Sequence, residues 1–173
     1  MKKNLIFLCL CVLLVTITGC NLDKKKGHNT GIAVAHEGGE APDFTLHDSD
    51  GLLFTLSSLR GQYVVLDVWG TWCKWCIKGI PDMKDIYERY NGKFEILSVD
   101  IGDTEDNWQD AIDAYDMNWL NVYASDEDAQ LLYQQYALEG FPTKIIIDPD
   151  GKILNITVGE DPEFYRILEE ILQ

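Results

Sequence analysis

The chain has 173 residues, enough for one ordinary domain with a leader or a tail. Its apolar content of 46% and aromatic content of 11% can fill a core, which excludes a disordered composition. A formal net charge of −15 offers no basic stripe for phosphates, so nucleic acid is excluded as an expected partner and the acidity reads as a solvated surface.

In chain order, MKKNLIFLCLCVLLVTITGC comes first, with Lys2 and Lys3 ahead of an apolar run from Leu5 to Ile17. That run, about 13 residues, suits a signal peptide better than a spanning helix, which needs about 20. Its end, Ile17-Thr18-Gly19-Cys20, resembles the lipobox of bacterial lipoproteins. The resemblance implies a signal peptide over residues 1–19, removed by cleavage, and a diacylglycerol on Cys20. The protein is then expected in the bacterial cell envelope, held to a membrane by that lipid and facing the periplasm or the outside of the cytoplasmic membrane. Residues 20–39 are polar, Gly-containing and aperiodic, and are expected to be a flexible tether in which His28 and His36 are solvated. The folded domain is expected over residues 40–173.

Two short alternating runs, Phe44–Leu46 and Leu53–Leu56, flank HDSDG and predict a hairpin with His47 in its loop. YVVLDVW, 63–69, is nearly unbroken in apolar character and predicts a strand buried on both faces. Cys76, Ile80, Met83, Tyr87 and Tyr90 recur at spacings of four and three, the core stripe of a helix. A strand over 94–99, a helix over 105–115, a short strand over 120–123 and a helix over 126–136 follow. Strands over 144–147 and 152–158 flank the turn Asp148-Pro149-Asp150-Gly151, and Phe164, Ile167, Leu168, Ile171 and Leu172 stripe the last helix. The alternation predicts an α/β domain, a central sheet covered by helices on both faces.

Of five cysteines, Cys9 and Cys11 leave with the leader and Cys20 takes the lipid, so Cys73 and Cys76 remain. An oxidising compartment lets them pair, but so short a loop makes a poor staple. The pair falls where a buried strand ends and a helix begins, and the amides there favour a thiolate. Cys73 is expected exposed at the tip, with Cys76 one turn in and shielded. An exposed nucleophile with a shielded resolving thiol is what disulfide exchange requires.

From about Ala41 to the end the chain resembles the thioredoxin superfamily, within it the TlpA/ResA-like thiol–disulfide oxidoreductases. The residues that carry the likeness are APDFTL at 41–46, DGLLFTLSSLRGQYVVLDVWGTWC at 50–73, Pro81, QQYALEGFPT at 134–143 and IIIDPDGKI at 145–153. The resemblance implies a thioredoxin fold with an N-terminal β-hairpin and an inserted helix–strand element before Pro142. It also implies a cis Pro142 beside the cysteines, with the Phe141 backbone available to pair with a substrate chain; Trp72, Lys74, Trp75, Phe141 and Thr143 are expected to line the substrate groove. Asp67 matches the buried acid of the family and is assigned the proton of Cys76. Clients would be extracytoplasmic protein thiols and disulfides, apocytochromes among them, served by an upstream membrane electron donor. A monomer is expected, with no metal and no cofactor.

Three departures stand out. Lys74 and Trp75 lie between the cysteines where relatives carry Gly or Glu and then Pro. Lys74 adds a positive charge that favours the Cys73 thiolate. Trp75 reads either as a docking surface or as packing against Trp72 or a loop. Gly79 stands where relatives often have Glu, and no second carboxylate is evident nearby. Two other readings remain open on the residues. One is a Cu(I) carrier, for which His47 is the domain's sole histidine; the other is a peroxiredoxin-like peroxidase, although its Thr-x-x-Cys segment is absent.

Overall fold

The computed structural model describes residues 33–173. The expected signal peptide, Cys20 and most of the tether lie outside the described residues. Seven strands form one mixed sheet in the order β2-β1-β5-β4-β3-β6-β7. They are β1 (Thr45–Asp48), β2 (Leu53–Thr55), β3 (Tyr63–Trp69), β4 (Phe94–Ile101), β5 (Leu120–Ala124), β6 (Thr143–Ile147) and β7 (Ile153–Val158). The helices are α1 (Lys74–Arg89), α2 (Glu105–Tyr115), α3 (Asp126–Gln135) and α4 (Pro162–Leu172).

β3 is the hub. It runs parallel to β4 on one side and antiparallel to β6 on the other, which explains its unbroken apolar character. Period-two alternation then divides its side chains between two cores. Val64, Leu66 and Val68 join Leu97, Val99 and Ile145 on one face. Val65 and Trp69 join Ile80, Met83, Ile96 and Phe164 on the other, under α1 and α4. The inserted element is α2, β5 and α3, between β4 and β6, with β5 extending the parallel run.

Most strand and helix bounds shift by one or two residues, β4 running on to Ile101, and the larger corrections fall at the tether and the hairpin. The expected tether ends before residue 35, because Ala35 is buried in a core cluster and its N–H donates to the Gln135 carbonyl at 2.6 Å. Gly38 and Gly39 also exchange backbone hydrogen bonds with Ile153, which their polar composition did not reveal. His47 lies in strand β1, opposite Tyr123 and Leu53, rather than in the hairpin loop. The loop is shorter because Asp48 closes it, its carboxylate accepting from the N–H groups of Asp50 (3.0 Å) and Leu52 (2.8 Å). Leu56 belongs to a 3-10 turn, Leu56–Leu59, and not to the second strand.

Candidate active site

α1 begins at the cysteines because Cys73 caps it. Cys73 is extended, and its sulfur accepts the N–H of Cys76 at 3.1 Å while its carbonyl takes the N–H of Ile77. A helix-terminal amide is thus aimed at the sulfur expected to ionise. The two cysteines are joined as a disulfide. Both are covered, Cys73 at 6% and Cys76 at 5% exposure, so the expected contrast between an open and a shielded sulfur is absent from the oxidised form. The reason is packing: both sulfurs join the cluster of Trp69, Ile80 and Phe164, with Phe141 against it.

The loop ahead of Cys73 is pinned to the end of β4. Thr71 donates its N–H (2.6 Å) and its hydroxyl (2.5 Å) to the Asp103 carboxylate. Trp72 donates Nε1–H to the Ile101 carbonyl at 2.9 Å. The Trp72 ring meets Phe141 edge-on at 5.0 Å, yet remains 53% exposed. This contact brings the Phe141–Pro142 segment, whose peptide bond is cis, against the cysteine loop. Trp75 does not pack on Trp72. It is 56% exposed, with the Lys78 ammonium 4.9 Å above its ring. Lys74 is exposed at the first position of α1. Thr143, expected in the groove, is buried and donates its hydroxyl to the Gly140 carbonyl at 2.7 Å, so its side chain fixes the loop below the groove.

Asp67 lies on the face of β3 that turns toward the cysteines, between Val65 and Trp69. It is buried, and its Oδ1 has no hydrogen-bond partner among the described residues. Burial pushes its carboxyl up to about 6, Lys144 pulls it down, and Glu160 pushes it up again. Lys144 faces it directly across the β3–β6 pair. The Lys144 side chain is 2% exposed and forms an ion pair with Glu160, which also accepts the Tyr165 hydroxyl at 2.6 Å. The expectation that no second carboxylate lies near Gly79 is therefore overturned. A Cβ at position 79 would overlap the Glu160 carboxylate, so the missing side chain is what admits it.

A second buried acid escaped the sequence reading. Asp100 on β4 is fully buried, neither oxygen has a partner among the described residues, and burial with the neighbouring Asp103 carboxylate pushes it up to about 8. Its setting in FEILSVDI, at the end of a buried strand, was the available signal. The signal for Lys144 was a lysine opening TKIII. Nothing local marks Glu160, whose role depends on packing between distant parts of the chain. The copper-carrier reading sought a histidine, and His47 stands on β1, with β5 and β4 between it and β3.

A thioredoxin-like sheet with a cysteine pair capping the helix after its central strand defines a protein of thiol–disulfide chemistry. Residues 61–153 match the family described as thioredoxin-like. The chain is 31% identical over 174 residues to the thiol–disulfide oxidoreductase ResA of Bacillus thuringiensis subsp. konkukian, covering 100% of this chain and 98% of that one. It is 32% identical over 159 residues to ResA of Bacillus subtilis, covering 91% and 87%. Among solved structures it resembles the thioredoxin domain of a Bacteroides vulgatus thiol–disulfide oxidoreductase, with a TM-score of 0.74, 29% identity and coverage of 80% and 99%. The chain belongs to the TlpA/ResA-like branch of the thioredoxin superfamily, and it is a thiol–disulfide oxidoreductase.

Proposed function

We propose that the protein is a lipid-anchored, extracytoplasmic oxidoreductase that reduces disulfides in protein clients through Cys73 and Cys76. The observation that carries this reading is the cysteine pair at the start of α1, with the Cys76 amide on the Cys73 sulfur and Asp67 on the facing strand surface. In the reduced protein, the Cys73 thiolate attacks one sulfur of the client disulfide. That bond breaks, the other client sulfur leaves as a thiolate, and a Cys73–client mixed disulfide forms. Cys76 then gives its proton to Asp67 and attacks the Cys73 sulfur, releasing the second client sulfur and leaving Cys73–Cys76 oxidised. The client gains two electrons, and the proton on Asp67 passes to water or to the departing thiolate. A membrane-bound dithiol donor restores the reduced pair. Trp72, Trp75 and Phe141 supply the apolar docking surface, and the lipobox at Cys20 supports the anchor and the compartment.

Trapping tests the division of roles. Cys76→Ser is expected to accumulate mixed disulfides with clients through Cys73, whereas Cys73→Ser accumulates few; equal trapping by both would sink the assignment. The equilibrium potential of the pair tests direction. A value near that of thioredoxin, about −270 mV, supports a reductant, and one near that of DsbA, about −120 mV, overturns it.

A further inference from the structure

The Lys144–Glu160 pair takes no part in the exchange steps, and stability does not account for it. Taking two charges out of water costs several kcal/mol per ion, and a buried pair often does no better than apolar residues of similar volume. Yet both partners are placed with care. Lys144 projects from the position opposite Asp67, onto the same face, and its ammonium lies 5.9 Å from the Phe164 ring centroid and 5.8 Å from that of Tyr165. Glu160 reaches in from the turn between β7 and α4, through the space Gly79 leaves in α1. Its second oxygen is held by the Tyr165 hydroxyl. Both Glu160 and Tyr165 also line a cavity of about 360 Å³ that is rimmed by Trp75, Lys78, Asp82 and Arg89. Across the strand pair from the buried acid of the exchange site thus stands a lysine whose ammonium is ion-paired to a second carboxylate, at a surface cavity.

We propose that Glu160 is a positioning residue for disulfide exchange: it fixes the Lys144 ammonium on the sheet face that carries Asp67 and partly offsets its charge, and so sets the pH above which Asp67 accepts the proton of Cys76. The inference rests on Asp67 serving as that base. The two charges act on Asp67 in opposite senses. The ammonium favours the carboxylate, and Glu160 disfavours it, directly and by engaging the ammonium. The other groups that face this space are Cys76, Lys78 and Asp82 from α1 and Tyr165 from α4. From β4 the Ser98 hydroxyl, itself bonded by Trp119 at 2.8 Å, lies opposite Asp67, and the buried Asp100 carboxyl follows two residues on, on the same face and opposite Trp69. Gly79 is part of the device, because any side chain there would displace the carboxylate.

The test reads the protonation midpoint of the Asp67 carboxyl by carbon NMR in the oxidised protein, where no exchange takes place. Glu160→Gln keeps the hydrogen-bonding shape and removes the charge, so the ammonium acts unopposed and the midpoint should fall by about one pH unit. Lys144→Met combined with Glu160→Gln removes both charges without leaving an orphaned ion, and the midpoint should rise. Gly79→Ala is well tolerated by a helix and should lower the midpoint by displacing Glu160. Midpoints unmoved by all three, or moved in one direction by both Glu160→Gln and the double variant, would overturn the proposal, since a merely structural pair alters melting temperature alone. The acid limb of mixed-disulfide resolution, followed by stopped flow, should track the midpoint. A midpoint that moves as stated while resolution ignores it would refute Asp67 as the base and leave the control of its charge by Glu160 and Lys144 standing.

Discussion

At the scale of single residues, the buried acids exchange stability for chemistry, and the sign of that exchange is fixed. Burial pushes the Asp67 carboxyl up to about 6 from its ordinary 3.8, so the folded chain binds this proton more tightly than the unfolded chain does. Its contribution is fully favourable below the unfolded value, is lost as pH rises through 4 to 6, and stays lost above. The cost at neutral pH has a ceiling of about 3 kcal/mol. Asp67→Asn should therefore unfold later than the parent protein at pH 8 and match it near pH 3.5, as read by thermal melts at the two values. The same variant should slow mixed-disulfide resolution, within the general-base range of about 10²–10⁴-fold, while leaving the first attack by Cys73 unchanged. Asp100 obeys the same rule over a higher window. With its carboxyl pushed up to about 8 it is neutral at pH 6, so Asp100→Asn should be silent there and stabilising at pH 9. A melt difference at pH 6 as large as that at pH 9 would contradict the burial argument.

At the scale of elements, the loop from Gly70 to Cys73 and the first turn of α1 separate two tryptophans by what they touch. Trp72 makes one hydrogen bond and one aromatic contact, each contributing about 1 kcal/mol. Among the described residues Trp75 stacks with no aromatic ring, and the Lys78 ammonium lies over its ring. Trp72→Ala should thus lower stability by about 1–2 kcal/mol and also impair the client step. Trp75→Ala should stay within about 0.5 kcal/mol of the parent protein and show itself only as a higher KM for protein clients. The same contrast explains what could be read in the sequence. β3, α1 and the position of the cysteines between them followed from an unbroken apolar run and a local helical period. Asp67 followed because a carboxylate inside YVVLDVW contradicts its surroundings. Lys144 and Glu160 could not be paired that way, since the link joins β6 to the turn after β7 through a gap in α1. Gly79 looked like a loss in the sequence, and in three dimensions it is an opening. The exposure of Cys73 was misjudged for a related reason: helix position gives the direction of a side chain, but Phe141 and the apolar cluster decide what covers it.

At the scale of the whole molecule, charge and anchor make a joint prediction. The chain carries a net −15, and anionic lipid repels such a surface, so electrostatics offers the domain no hold on a membrane. Among the described residues no helix is long and apolar enough to cross one. If the proposed lipid on Cys20 is the attachment, membrane association should be indifferent to salt, because acyl-chain burial of about 0.8 kcal/mol per CH₂ does not depend on screening. Cys20→Ala should then release the protein at every salt concentration or leave it with an uncleaved leader, and should abolish incorporation of labelled fatty acid. Exchange activity of the purified variant should equal that of the parent protein, since every residue of the site lies among the described residues, 33–173. Membrane binding that survives Cys20→Ala and washes off in high salt would show a protein-mediated attachment instead. A variant that still takes up labelled lipid would sink the lipobox itself.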